Sequence, residues 1–308
     1  MAPPQPAENH TQREIRMAAL SAITAYIAWG LFGLYFKSLD HVSALEILSH
    51  RILWSVGLLA IIITALKKWS DVIPLLINLK SLSVYGLSAL LISVNWGIYI
   101  YAVVSGQALE GSMGYFIMPL VAVMLGGIFF GERFTKEQTI AILLAVAGVL
   151  YQIINFGQLP WIALSLAFSF GFYGMIRKKA AADSIVGLFL ETLLISPIAL
   201  GFMIYWAQSG DFYFLTAEID MKILLMLAGP ITAIPLILFA FGARKLRYST
   251  VGLLQYINPT CQFLLAVYVF GEDFSVHDLV TFGCIWTALL LYSQNSYRQS
   301  RRNKAANS

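Results

Sequence analysis

The sequence predicts an all-α membrane protein with ten transmembrane helices in two inverted five-helix repeats. Three observations predict it. Apolar runs long enough to cross a bilayer recur ten times, basic residues gather on one side of those runs, and the two halves of the chain repeat one another.

The 308 residues are 59% hydrophobic and 12% charged, with a mean hydropathy of +0.75. A soluble domain carries about 25% charged residues, so this chain lacks the surface that a water-soluble globule needs. The apolar runs fall at 17–37, 43–66, 81–104, 109–130, 138–155, 159–176, 184–206, 221–243, 249–270 and 276–295. A hydrocarbon core about 30 Å thick takes about 20 helical residues to cross. Lipid offers no partner to exposed backbone groups, so each run is expected to be helical. None shows the alternating pattern of a membrane β-strand. The first run holds Trp29, Tyr35 and Phe36 without a small-residue cleavage site and reads as a span rather than a signal peptide. Residues 1–12 read as a disordered tail and 297–308 as a basic cytoplasmic tail, with the repeats at 13–155 and 156–296.

Orientation follows from Lys and Arg, which concentrate in cytoplasmic loops. With the N-terminus inside, the inner segments hold Arg13, Arg16, Lys67, Lys68, Lys80, Arg133, Lys136, Arg177, Lys178, Lys179, Arg244, Lys245, Arg247, Arg298, Arg301, Arg302 and Lys304, 17 of the 20 basic residues. Only Lys37 and Lys222 lie outside, and Arg51 lies within a span. Both termini are therefore expected in the cytoplasm. The basic pI of about 9.0 is thereby accounted for without nucleic acid, because the charges form no single stripe.

The halves repeat at a spacing of about 140 residues. Tyr115-Phe-Ile-Met-Pro119 is followed by Gly131-Glu-Arg-Phe134, and Gln255-Tyr-Ile-Asn-Pro259 by Gly271-Glu-Asp-Phe274. Gly30-x-x-Gly33 matches Gly171-x-x-Gly174 more weakly. Five spans per half, an odd number, force the copies to cross in opposite directions. Such inverted repeats are a plan of secondary transporters, with the substrate site near the midplane between the halves.

Charges within spans are costly and mark candidate sites. Glu46, His50 and Trp54 follow i, i+4, i+8 on one face of span two, beside Arg51. Glu191 lies at comparable depth in span seven, the repeat equivalent of span two. Arg51 is expected to be neutralised by Glu46 or Glu191, and to receive an anionic substrate group or belong to a proton-carrying cluster. His50 suits a proton relay by its pKa near neutrality. The competing reading is a structural ion pair that fixes helix packing. Gln255, Asn258 and Gln262 form one polar stripe on span nine, and Ser88, Asn95 and Tyr99 another on span three beside Trp96. These stripes line a cavity or bind neighbouring helices. Trp29 and Tyr115 are candidate aromatic walls. Pro119, Pro259, Pro230 and Pro235 are candidate hinges, because proline removes a helical donor. Spans five and ten hold almost no strongly polar residue and are expected to support the bundle.

The chain has no G-x-x-x-x-G-K-[ST], no H-E-x-x-H and no loop longer than about 14 residues. Cys261 and Cys284, both within spans, read as small packed residues with no metal or disulfide spacing. No cofactor, metal or catalytic group is expected, and the reading is not an enzyme. The expected partners are a small-molecule substrate and the lipid bilayer, with protons and a second copy in a homodimer as candidates. A membrane-embedded enzyme or sensor without vectorial transport is the alternative reading.

Several runs resemble one family. Glu46-Ile-Leu-Ser-His-Arg-Ile-Leu-Trp-Ser55, Gly114-Tyr-Phe-Ile-Met-Pro119, Gly131-Glu-Arg-Phe134, Leu159-Pro-Trp-Ile-Ala-Leu164, Ser169-Phe-Gly-Phe-Tyr-Gly174 and Gly252-Leu-Leu-Gln-Tyr-Ile-Asn-Pro259 resemble the RarD family, called chloramphenicol-sensitive proteins, of the EamA-type drug/metabolite transporter superfamily. The resemblance covers about 16–296 and departs at Met118, where a polar or small residue is common. It implies two EamA-type halves, a bacterial inner-membrane location and secondary transport by export. Its name points to antibiotic efflux, while related exporters handle amino acids and other metabolites.

Overall fold

The computed structural model describes residues 6–130, 135–156, 159–180, 182–245 and 254–306. Among these, every regular element is helical. Eight helices are long and apolar enough to cross a membrane, while Trp161–Arg177 and Ile257–Val269 are apolar but shorter. Together they fill the ten expected positions. Span one comprises Pro6–Gly30 and, past a turn at Leu31, Phe32–Lys37, so helix begins inside the segment that composition marks as a tail. Spans two to seven are Ala44–Ala65, Leu79–Val104, Ala108–Phe130, Lys136–Phe156, Trp161–Lys179 and Ser184–Ser209. Span eight joins Ile219–Met226 to Ala228–Lys245, span nine joins Ile257–Leu264 to the π-helical turn Leu265–Val269, and span ten is Val276–Ala306. Two short helices, Trp69–Leu76 and Tyr213–Thr216, add to the pattern. Both are too short for a search keyed to bilayer thickness.

Proline sets where the helices break. Pro230 would have to donate to the carbonyl of Met226, and Met226 ends the first part of span eight. Pro259 would have to donate to Gln255, and there the chain makes a turn in which Asn258 N donates to Gln255 O instead. Pro230 and Pro259 therefore occupy first turns of new helical segments, whereas Pro119 and Pro235 lie inside continuous helix. The repeat-equivalent prolines Pro119 and Pro259 thus sit differently, the first within a helix and the second in the first turn of one. Span nine is irregular at Gln255–Tyr256 and at its π-helical turn.

The main helix pairs recur when the halves are exchanged. Spans two and seven, four and nine, and five and ten pair across the repeat. Span one packs on eight and nine, just as span six packs on three and four, and span two meets eight as seven meets three. Equivalent close contacts recur. A Cβ added at Gly30 would meet Cys261 Cβ at 2.5 Å, and one at Gly171 would meet Val121 Cγ1 at 2.9 Å. Small residues at matched crossings let backbones approach where lipid supplies no hydrophobic drive between helices. The two cysteines serve here as small packed groups, Cys284 lying 2.9 Å from a Cβ built at Gly148.

Matched local signals open spans five and ten. Thr135 N donates to Gln138 Oε1 at 3.0 Å and Gln138 N to Thr135 Oγ1 at 3.2 Å. Ser275 N donates to Asp278 Oδ2 at 2.9 Å and Asp278 N to Ser275 Oγ at 3.2 Å. These reciprocal capping boxes satisfy orphan helix donors at repeat-equivalent positions. Spans five and ten pack mainly on one another, as supports. Glu272, in the same loop as Ser275, closes that end of the bundle: its carboxylate accepts from the Ala108 and Leu109 amides at 2.8 Å each, at the start of span four. Burial pushes this carboxyl above its ordinary range against the pull of those amides. The equivalent Gly131–Phe134 motif lies outside the described residues.

Candidate functional site

Arg51 projects from the middle of span two and is only 5% exposed. Its guanidinium lies over the Trp96 ring of span three, 4.0 Å from the centroid, with the Phe32 and Phe36 rings at 5.7 and 5.8 Å. Its Nε donates to Thr232 Oγ1 of span eight at 2.9 Å. Thr232 spends its own proton on Ala228 O at 2.8 Å, which fixes the hydroxyl with a lone pair towards the arginine. The hydroxyls of Tyr35, Tyr99 and Tyr115 lie within electrostatic reach. Tyr35 donates to Leu224 O at 2.8 Å and Tyr115 to Asn95 Oδ1 at 3.3 Å.

The expected counter-charges are elsewhere. Glu46 accepts from the Phe214 amide at 2.9 Å and the Tyr213 amide at 3.4 Å, holding the loop between spans seven and eight. Helix N-termini draw carboxylates through their unpaired N–H groups, and this one outcompetes the arginine. Glu191, fully buried, accepts from Ser88 Oγ at 2.5 Å and Tyr173 Oη at 3.2 Å and lies 3.5 Å from Arg177 Nε. Among the described residues no carboxylate lies within 4.0 Å of Arg51.

His50 does share a face with Trp54, whose Nε1 donates to His50 Nδ1 at 3.2 Å. The ring rests on Phe212 and Phe214, with centroids 5.9 and 4.7 Å away. Its Nε2 is buried without a hydrogen-bond partner among the described residues, so the expected relay has no second member here. Trp54 is 36% exposed and its backbone packs on Gly229.

The polar stripes divide. Asn95 is buried and clamps three spans, donating to Leu166 O at 2.9 Å and Ser169 Oγ at 3.0 Å while accepting from Tyr115. Tyr99 packs on Phe36 and Tyr115, with centroids 6.0 and 5.5 Å away, beside Arg51. On span nine, Gln262 Nε2 donates to Asn258 Oδ1 at 2.9 Å, leaving a buried Oε1 without a partner among the described residues. Gln255 is half-buried in the preceding turn. Trp29 packs against Tyr26 and Phe239 rather than Arg51.

A second cluster closes the end of the bundle that carries Lys67, Lys68 and Arg177. Arg177 bridges Glu191 to the Asp183 carbonyl, its Nη2 3.1 Å from that oxygen, and lies 5.7 Å from the Tyr85 ring centroid. Tyr85 Oη accepts from Ala182 N at 2.8 Å, and Lys68 pairs with Asp183. Burial pushes the Asp183 carboxyl up, but Lys68 and the Val186 and Ile185 amides outweigh it and hold the group below its ordinary range. The spacing of span three orders these groups. Tyr85 and Ser88 lie at this cluster, then Ser93, then Trp96 beneath Arg51.

Sequence reasoning did not single out Thr232, Arg177, Tyr173, Phe32 or Phe36. Thr232 carried a usable signal, as the only hydroxyl between Lys222 and Arg244 in an otherwise apolar, proline-broken span. Arg177 was masked by its position at a span end, where it reads as an orientation signal.

The EamA-like transporter family model matches residues 16–153 and again 160–294. The chain is 42% identical over 290 residues to Protein RarD of Salmonella typhi, covering 94% of this chain and 99% of that one. It is 42% identical over 303 residues to the uncharacterized transporter YojE of Bacillus subtilis (strain 168), covering 95% and 98%. A solved crystal structure shares the fold with a TM-score of 0.55 at 16% identity, covering 91% of this chain and 97% of that one. A family model that matches both halves, and relatives aligned over nearly their whole length, place this multi-pass membrane chain in the EamA-like transporter family.

Proposed function

We propose that this chain is a secondary transporter of the bacterial inner membrane that exports a small organic solute by alternating access, with both termini in the cytoplasm. The observation that carries the reading is the polar column through the bundle. It begins with Lys68 and Asp183 at the basic end and passes Arg177, Glu191 and Ser88. It ends at Arg51 between spans two, three and eight. Buried polar groups are expensive between apolar helices and mark solute paths. The Arg177–Glu191 pair acts as the cytoplasmic gate. Glu191 is the carrier of a coupling proton, because its hydroxyl partners come from spans three and six and would part when the halves rock.

Everted membrane vesicles with and without the protein, energised by a proton gradient, test this. They are offered chloramphenicol, amino acids and organic acids in parallel. The expected result is accumulation of at least one solute above the control, abolished by a protonophore and by Glu191→Gln. Absence of any protein-dependent accumulation overturns the transport reading. Accumulation indifferent to the gradient overturns the coupling role alone.

A further inference from the structure

We infer that the Arg51 site takes an organic monocarboxylate with an aromatic or apolar body, in preference to amino acids and to neutral drugs; the inference rests on the transport reading above. Three features of the site select this chemistry.

The first is charge. Arg51 is the cation at the centre of the bundle, and Glu46 and Glu191 are both committed to other donors. A guanidinium never loses its proton in proteins. One buried positive charge is matched by one negative charge, and a dianion would leave the site charged again.

The second is geometry. Trp96 covers the guanidinium face at 4.0 Å and Thr232 engages Nε, so the terminal nitrogens Nη1 and Nη2 are left without a hydrogen-bond acceptor among the described residues. Two parallel N–H groups in one plane fit the two oxygens of a carboxylate. The surrounding Phe32 and Phe36 rings offer contact area to an apolar body and nothing to a second charge. Two buried hydroxyls lie close by register. Ser55 is one turn beyond Arg51 and Ser93 one turn before Trp96. Spans two and three run in opposite directions, so both lie on the basic-end side of the arginine. Each Oγ lacks a partner among the described residues. Unpartnered buried hydroxyls are destabilising, and a carboxylate entering from that end would accept from them.

The third feature excludes the ammonium group of an amino acid. The buried or half-buried carboxylates Glu46, Glu110, Glu191 and Glu272 already accept from protein donors. None is left over to neutralise a cation beside Arg51.

The test uses the purified full-length protein in detergent and reads quenching of tryptophan fluorescence, Trp96 lying against the arginine. Benzoate, phenylacetate, indole-3-acetate and hexanoate are each titrated beside the matching primary amide, with phenylalanine and chloramphenicol as further probes. At least one acid is expected to bind at least about tenfold more tightly than its amide, phenylalanine and chloramphenicol. Arg51→Gln is expected to abolish that preference and Arg51→Lys to weaken it. If all four acids discriminate by less than tenfold, or Arg51→Gln keeps the preference, the inference is overturned. Should Arg51→Gln not fold, the acid-to-amide ratio of the unaltered protein decides by itself. Failure of the transport reading would appear separately, as absence of gradient-driven accumulation in vesicles, which binding in detergent does not measure.

Discussion

Arg177 Nε lies 3.5 Å from Glu191 Oε1, and this pair takes the carboxylate that would otherwise serve Arg51. Removing one member of a buried pair leaves the other uncompensated, at a cost of about 3–5 kcal/mol. Arg177 keeps 15% of its side chain exposed, so the low end of that range applies. Arg177→Met is expected to destabilise by about 3 kcal/mol, and adding Glu191→Met to recover most of the loss. Thermal unfolding of the single and double variants in detergent measures the coupling. Strictly additive losses would mean that the two charges do not depend on each other.

The glycines at the crossings separate packing from helix propensity. A Cβ on Gly229 would lie 2.5 Å from the Trp54 carbonyl carbon, backbone that cannot swing aside. A Cβ on Gly174, in span six, would meet nothing within 4 Å. Gly229→Ala is therefore expected to destabilise by about 1–3 kcal/mol through overpacking between spans two and eight. Gly174→Ala should be neutral or gain up to about 1 kcal/mol from helix propensity. Equal unfolding temperatures for the two variants would contradict the close approach of these spans.

Asp183 gives the basic end of the bundle an acid limit. Its carboxyl is depressed in the folded chain by Lys68 and two amides, against burial. A depressed acid stabilises the fold above its unfolded pKa of about 3.9. That contribution is lost as pH falls through the lower folded value. The protein is expected to lose stability on acidification below about pH 4, and Asp183→Asn to lose less over the same window while starting lower at neutral pH. Melting curves from pH 7 to 3 for the two proteins decide it; parallel curves would show that Asp183 does not contribute.

Ten spans were legible in the sequence because bilayer thickness and the helical rise fix a length that few other structures need. The repeat was legible because Pro119 and Pro259 recur with their trailing Gly-Glu motifs. Charge partners were not. Glu46 and His50 share a helix face with Arg51's neighbourhood, but the amides of Phe214 and the rings of Phe212 and Phe214 claim them from a loop some 160 residues away in sequence. Helical periodicity says which residues face alike and nothing about which distant donor arrives first. Thr232 escaped for the same reason: its role comes from span eight crossing span two, a tertiary fact. The helix breaks were half legible. Proline marks a missing donor, and whether the helix runs through it or restarts there depends on neighbours, as Pro119 and Pro230 differ.

Thr232 provides the sharpest check on how Arg51 is held. Its hydroxyl is the one described acceptor on the guanidinium, at 2.9 Å, and its own hydrogen is committed to Ala228 O. Thr232→Val keeps the shape and removes the acceptor, leaving a buried charged donor unpaired at a cost of about 1–3 kcal/mol. Thr232→Ser keeps the hydroxyl and should recover most of that stability, since one lost methyl costs about 1 kcal/mol. The same order is expected for the acid preference of the site, because Nε anchors the plane in which Nη1 and Nη2 present themselves. If Val and Ser variants unfold at one temperature and bind phenylacetate alike, the hydroxyl does not position the arginine, and the Trp96 ring alone would have to hold that plane.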